Sequence, residues 1–72
     1  MDYLIKEIRI KKGLTQKQVY SDICPYRHYI RVENNNGDAS VELLVKLSIR
    51  LGVNVEELIN IPESFYKYRV YN

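Results

Sequence analysis

The chain has 72 residues, 46% of them apolar and 28% charged, with a formal net charge of +2. That length makes one small domain able to bury only about 60% of its unfolded surface, for which a mostly helical core is the economical solution, and three glycines and two prolines exclude collagen-like and low-complexity sequence. No apolar run reaches membrane-spanning length, residues 1–5 lack the basic-then-apolar order of a signal peptide, and the single Cys24 has no companion for a disulfide or a zinc site, so a cytoplasmic protein without metal or cofactor is expected.

The chain's punctuation predicts five helices and an all-α fold. The first runs from about Tyr3 to Lys12, with Leu4, Ile5 and Ile8 as its apolar stripe and Gly13 as its stop. Thr15 caps the second, with Gln18 at capping-box spacing, and that helix continues to about Ile23. After the short break at Cys24-Pro25 a third helix covers about Tyr26 to Glu33, since proline is tolerated at a helix start. Residues 34–38 form a polar loop of types that accept left-handed backbone. Ser40 caps a fourth helix that ends at Leu51 before Gly52, with Val41, Leu44, Leu47, Ser48 and Leu51 on its inner face. Asn54 and Glu57 make a second capping-box start for a fifth helix to about Ile61, which Pro62 ends. The domain is expected over residues 1–61. The remainder, 62–72, is an aromatic tail in which Phe65, Tyr66, Tyr68 and Tyr71 fall close together. It either packs back, extends along a dimer, or begins a linker helix.

Charge is uneven along the chain. Residues 1–33 carry seven bases against four acids, a net +3, while residues 34–72 carry a net −1. A basic half suggests a face that meets an anion, although asymmetry of this size is common on solvated surfaces. Enzyme chemistry lacks its parts: there is one histidine, no Gly-rich phosphate loop, no metalloprotease motif and no nucleophile elbow. Glu56 and Glu57 are explained as acidic residues in the first turn of a helix.

Two short helices at a tight turn, with polar and basic residues opening the second, describe a helix-turn-helix. The runs GLTQKQV (13–19), YIRVEN (29–34) and SVELLVKLSIRLGVNVEELI (40–59) resemble the Cro/repressor-type (XRE-like) family. A turn one residue shorter than usual, without its common glycine, is similar to that of the DNA-binding domains of Rgg/PlcR/PrgX-type peptide-pheromone regulators. The resemblance implies a five-helix, lambda-repressor-like domain that binds an operator in double-stranded DNA as a dimer and regulates transcription. It also implies a peptide-sensing domain following the reader. A plasmid or phage repressor, an antitoxin, and a protein-interaction module on the same fold are the competing readings.

The resemblance assigns roles residue by residue. Tyr26, Arg27, His28 and Arg31 match positions that meet base edges, and arginine suits guanine O6 and N7 bidentately. The competing readings are a solvated helix face for the two arginines and His28, and a brace for the turn in the case of Tyr26. Gln16 matches a phosphate clamp, with Lys17, Asn34 and Asn36 as further phosphate contacts; Asn34 serves equally as a helix-ending residue. Arg9 and Glu33 match a structural ion pair. Tyr20 stands where a small residue is usual and is expected to compensate for the short turn. Cys24 reads as a packed apolar group rather than a redox switch. Val45 and Ile49, outside the inner stripe of the fourth helix, and Phe65 and Tyr68 in the tail are expected at an interface.

Overall fold

The structure, a computed structural model describing residues 2–70, is helical throughout: α1 (Ile5–Lys11), α2 (Gln16–Tyr20), α3 (Tyr26–Glu33) and α4 (Val41–Leu51) are followed by 3-10 turns at Val55–Leu58 and Glu63–Tyr68. Each α-helix is delimited by local chemistry. Thr15 Oγ1 accepts from the Gln18 amide at 3.1 Å while the Gln18 side chain accepts from the Thr15 amide at 2.8 Å, so the capping box forms as expected. Ser40 caps α4 by accepting from the Leu43 amide.

Three helix ends share one device. After α1 the Gly13 and Leu14 amides fold back on Ile10 and Arg9, after α3 the Asn35 and Asn36 amides on Val32 and Arg31, and after α4 the Gly52 and Val53 amides on Ile49 and Ser48. Each reversal requires a left-handed residue, which Gly13 and Gly52 supply at φ 70° and Asn35 at φ 59°.

Three helices are shorter than their sequence pattern, two of them for one reason. Asp2 to Leu4 and Leu58 to Asn60 make an antiparallel bridge instead, the Leu4 amide donating to Leu58 at 2.7 Å and the Asn60 amide to Asp2 at 2.9 Å. Those hydrogen bonds delay the start of α1 to Ile5 and leave the fifth helix as a single 3-10 turn, at whose start the Glu57 side chain accepts from the Asn54 amide at 2.6 Å. The expected extension of α2 to Ile23 is also absent, because Ser21 leaves the helical region and Asp22 turns left-handed at φ 64°.

The core gathers Ile5, Val19, Tyr29, Val32, Leu47 and Leu58, with Leu51 from the last turn of α4. On α4 one expectation is corrected. Val41 is 77% exposed, whereas Leu43, which is not among the residues expected on the inner face, is buried. The buried face centres between Leu47 and Leu51; Val41 lies about a quarter turn from that centre on the uncovered first turn of the helix. Among the described residues the tail has no buried side chain: Phe65 remains 49% exposed beside Asp2, Asn60 and Pro62, while Arg69 and Lys67 sit over the rings of Tyr66 and Tyr68. Tyr71 lies outside the described residues.

Candidate nucleic-acid interface

The turn between α2 and α3 sets the presentation of α3. It lacks a glycine, and Asp22 takes the left-handed position itself, one of the few side-chain-bearing types that do so readily. The Ile23 and Cys24 amides then both donate to the Tyr20 carbonyl. Tyr20 fills the space beside this turn, its ring 5.7 Å from Tyr26 and 5.5 Å from Tyr29, which is how a bulky residue is accommodated between two helices. Pro25 precedes α3 with extended backbone and lends its carbonyl to the Tyr29 amide.

From this turn α3 emerges with two unlike faces. Tyr29, Val32 and Glu33, at three- and four-residue spacing, are buried. Arg27, His28 and Arg31 are exposed on the other side, and Tyr26 is half-exposed at the helix start.

Glu33 is the centre of a polar cluster. Its carboxylate accepts from Arg9 Nε at 3.0 Å, Arg9 Nη2 at 3.2 Å and Gln16 Nε2 at 3.0 Å, and also from the Tyr29 hydroxyl. Arg9 spends its remaining Nη1 on the Leu14 carbonyl at 2.9 Å. Burial alone would push the Glu33 carboxyl up, but the hydrogen bonds from Arg9, Tyr29 and Gln16, with the charge of Arg9, outweigh it and hold the carboxyl below its usual range. Tyr29 moves the other way: burial, then its bond to the Glu33 anion, raise its phenol well above the ordinary value. The guanidinium of Arg9 is raised as well, first by its hydrogen bond to Glu33.

The remaining candidates sort by location. Gln16 reaches Glu33, and Asn34 and Asn36 follow that residue in sequence, both exposed, so these three collect at the carboxyl end of α3. Asn34 also ends the helix, its amide donating to Ile30. Lys17 is exposed on α2. Val45 and Ile49 are 39% and 74% exposed on α4, and Phe65 and Tyr68 lie in the tail, which leaves the α4 ridge uncovered. Cys24 is half-buried in a hollow with Ile23, His28, Leu43 and Lys46, and burial pushes its thiol up.

Several organising residues carry no local signal. Arg50 donates to the Gln18 and Val19 carbonyls at 2.8 and 3.3 Å, tying α4 to α2. Asn35 exchanges hydrogen bonds with the Tyr3 backbone, and the Tyr3 hydroxyl accepts from the Ala39 amide, which anchors the loop after α3. Tyr29 is the exception: its four-residue spacing from Glu33 was available in the sequence.

A family model described as helix-turn-helix matches residues 5–58. Two solved structures are similar. One is the PrgX/cCF10 complex, at 42% identity and a TM-score of 0.73 over 79% of this chain and 19% of that one. The other is a PrgX point mutant, at 37% identity and a TM-score of 0.76 over 94% of this chain and 22% of that one. The chain thus spans about a fifth of the length of PrgX. No curated protein matches it.

Proposed function

The chain belongs to the helix-turn-helix family, and on that premise we propose that it binds double-stranded DNA sequence-specifically and regulates transcription, as a dimeric cytoplasmic repressor that acts by occupying a promoter. In this reading α3 enters the major groove. Arg27 and Arg31 grip guanine edges, His28 donates to a base or phosphate, and Tyr26 packs on a thymine methyl. Lys17, Gln16, Asn34 and Asn36 contact phosphates and fix the register without reading sequence.

The observation that carries the reading is the sorting of charge on α3. The outer face bears Arg27, His28 and Arg31, and the helix's one carboxylate, Glu33, is turned inward and neutralised by Arg9. An exposed carboxylate there would repel the phosphates that the arginines attract. Among the described residues no helix is long and apolar enough to cross a membrane. PrgX is solved in complex with cCF10, and the peptide-sensing companion that the family resemblance implies is part of the same reading.

Fluorescence-polarisation binding to a random-sequence duplex pool, followed by selection of bound sequences over a salt series, tests it. An enriched motif and an affinity that falls steeply with salt are expected. Arg27→Ala is expected to lose about 1–3 kcal/mol and relax selection at one base pair, while Lys17→Ala weakens all sequences alike and lowers the salt slope by about 1. Retention of the enriched motif by a folded Arg27→Ala/Arg31→Ala protein sinks the recognition-helix assignment.

A further inference from the structure

Outside the α3 face, α4 carries the most conspicuous unpartnered surface. Val41, Val45 and Ile49 succeed one another at four-residue intervals and are 77%, 39% and 74% exposed. Their spacing makes them one i±4 row of the helix surface, the row that interdigitates with an identical row when two helices cross at about 50°. Such a row of branched aliphatics, left exposed by the described residues, has the form of half a helix-helix contact.

The neighbouring row identifies the occupant. Glu42, Lys46 and Arg50 run beside the ridge, acidic at the amino end and basic at the carboxyl end. A row of that polarity complements its own reverse. We infer that the ridge is the contact surface for a second copy of this chain, with the two α4 helices antiparallel about a two-fold axis passing beside Val45. Val45 meets the second copy's Val45, Val41 of each copy meets Ile49 of the other, and each Glu42 comes beside the second copy's Lys46. Glu42 and Lys46 are already paired within the chain at 3.0 Å, with 76% and 52% of their side chains exposed, so both retain unused directions. In a parallel two-fold arrangement the two charged rows would fall on opposite sides of the contact and could not meet, so only the antiparallel one uses their complementarity.

Two-fold symmetry is self-complementary at the axis alone, which gives the inference a sharp signature. This surface deepens the dimer of the proposed function, yet it is built from side chains that take no part in the DNA reading, so it is tested without DNA.

The experiment uses the full chain in a Cys24→Ser background under mild oxidation, with crosslinking scored on non-reducing gels. Val45→Cys is expected to form a covalent homodimer, since residues on the axis come within disulfide reach. Val41→Cys and Ile49→Cys are expected to remain mostly monomeric alone and to crosslink when mixed. Sedimentation equilibrium of the wild-type chain and of Ile49→Lys supplies the second arm. The wild type self-associates and the variant becomes monomeric; at concentrations where the wild type is itself monomeric the two share one thermal transition, because residue 49 is exposed. Failure of Val45→Cys to crosslink faster than an exposed control, Lys6→Cys, overturns the surface, as does wild-type and Ile49→Lys sedimentation that does not differ. Efficient self-crosslinking of all three ridge cysteines overturns the antiparallel register. Loss of dimer in Ile49→Lys with sequence-selective DNA binding still measurable at high protein concentration separates this surface from the DNA reading.

Discussion

Replacing Glu33 with alanine is expected to destabilise the domain by about 3–5 kcal/mol, the usual cost of removing one partner from a buried ion pair. The structure apportions that cost. The Tyr29 hydroxyl, on a side chain with no solvent exposure, loses its acceptor, and an unsatisfied buried hydroxyl costs about 1–3 kcal/mol. Arg9 loses two hydrogen bonds but keeps the Leu14 carbonyl, and 13% of its side chain faces solvent, so water restores part of its solvation. Gln16, free of Glu33, turns outward at little cost. A domain of this length has a total stability of about 4–11 kcal/mol, so the variant stands near its unfolding threshold at 37 °C. Urea denaturation monitored by far-UV circular dichroism measures the change, with the slope checked for constancy. Glu33→Gln keeps an acceptor for Tyr29 and is expected to lose less. A loss below about 1 kcal/mol for Glu33→Ala would refute the cluster's structural role and return Glu33 to consideration as a DNA-facing residue. The point matters for function because a DNA-binding defect in Glu33→Ala, measured without stability, is an unfolding result.

Other outcomes follow from the same geometry. The Glu33 carboxyl is held below its ordinary value, so its contribution is full above about pH 4.3 and is lost as pH falls through the lower folded value; the phenol of Tyr29 is held above its ordinary value, so its contribution is full below about pH 10 and is lost as pH rises beyond it. Urea midpoints across pH check this, and the acid limb is expected to flatten in Glu33→Gln. Gly13→Ala is expected to cost about 1–2 kcal/mol through backbone strain alone, since a Cβ at φ +70° there meets nothing within 4 Å; thermal melts beside Gly37→Ala, expected to lie within about 0.5 kcal/mol of wild type, separate strain from bulk. Arg50→Met is expected to lose about 1–3 kcal/mol by freeing the Gln18 and Val19 carbonyls, with faster hydrogen exchange in α2 as the readout.

What the sequence made legible was what short-range chemistry determines. Thr15 with Gln18, Ser40, Gly13 and Gly52 set helix limits through bonds spanning a few residues, and α3 fell where Pro25 and the polar loop confined it. The first and fifth helices were misread because their backbone groups are claimed from far along the chain, and α2 because Asp22 takes a left-handed turn that its residue type allows but does not require. Tyr3 continues the apolar pattern of α1 but pairs with Ile59, and that bridge shortens both ends. The inner face of α4 was misjudged at Val41 and Leu43 because periodicity gives the spacing of a stripe, whereas its phase depends on where neighbouring elements pack. The α3 face followed the pattern more closely, since Arg27, His28 and Arg31 had no apolar role to compete for.

Glu33 also explains why α3 has so abrupt a change of character between its faces. A carboxylate near the carboxyl end of a helix opposes the helix dipole and, if exposed, the approach of a polyanion. Burial would normally raise its pKa and favour the neutral acid, but Arg9 from α1, Gln16 from α2 and Tyr29 from α3 converge on it and keep it charged. The charge thus binds three helices together at the place where α3 must be held rigid, and Arg9 cancels it before it reaches the outer surface. The exposed arginines of α3 thus act from a helix whose one carboxylate has already been spent inside the fold. Arg9→Met, which leaves Gln16 in place and frees the Glu33 charge, is therefore expected to weaken DNA association at every sequence and to steepen its loss with pH, measured at a temperature where circular dichroism shows the variant folded, because the unneutralised carboxylate is then repelled by phosphate. Equal affinity of that folded variant and the wild type at pH 5 and pH 8 would show that the cluster serves stability alone.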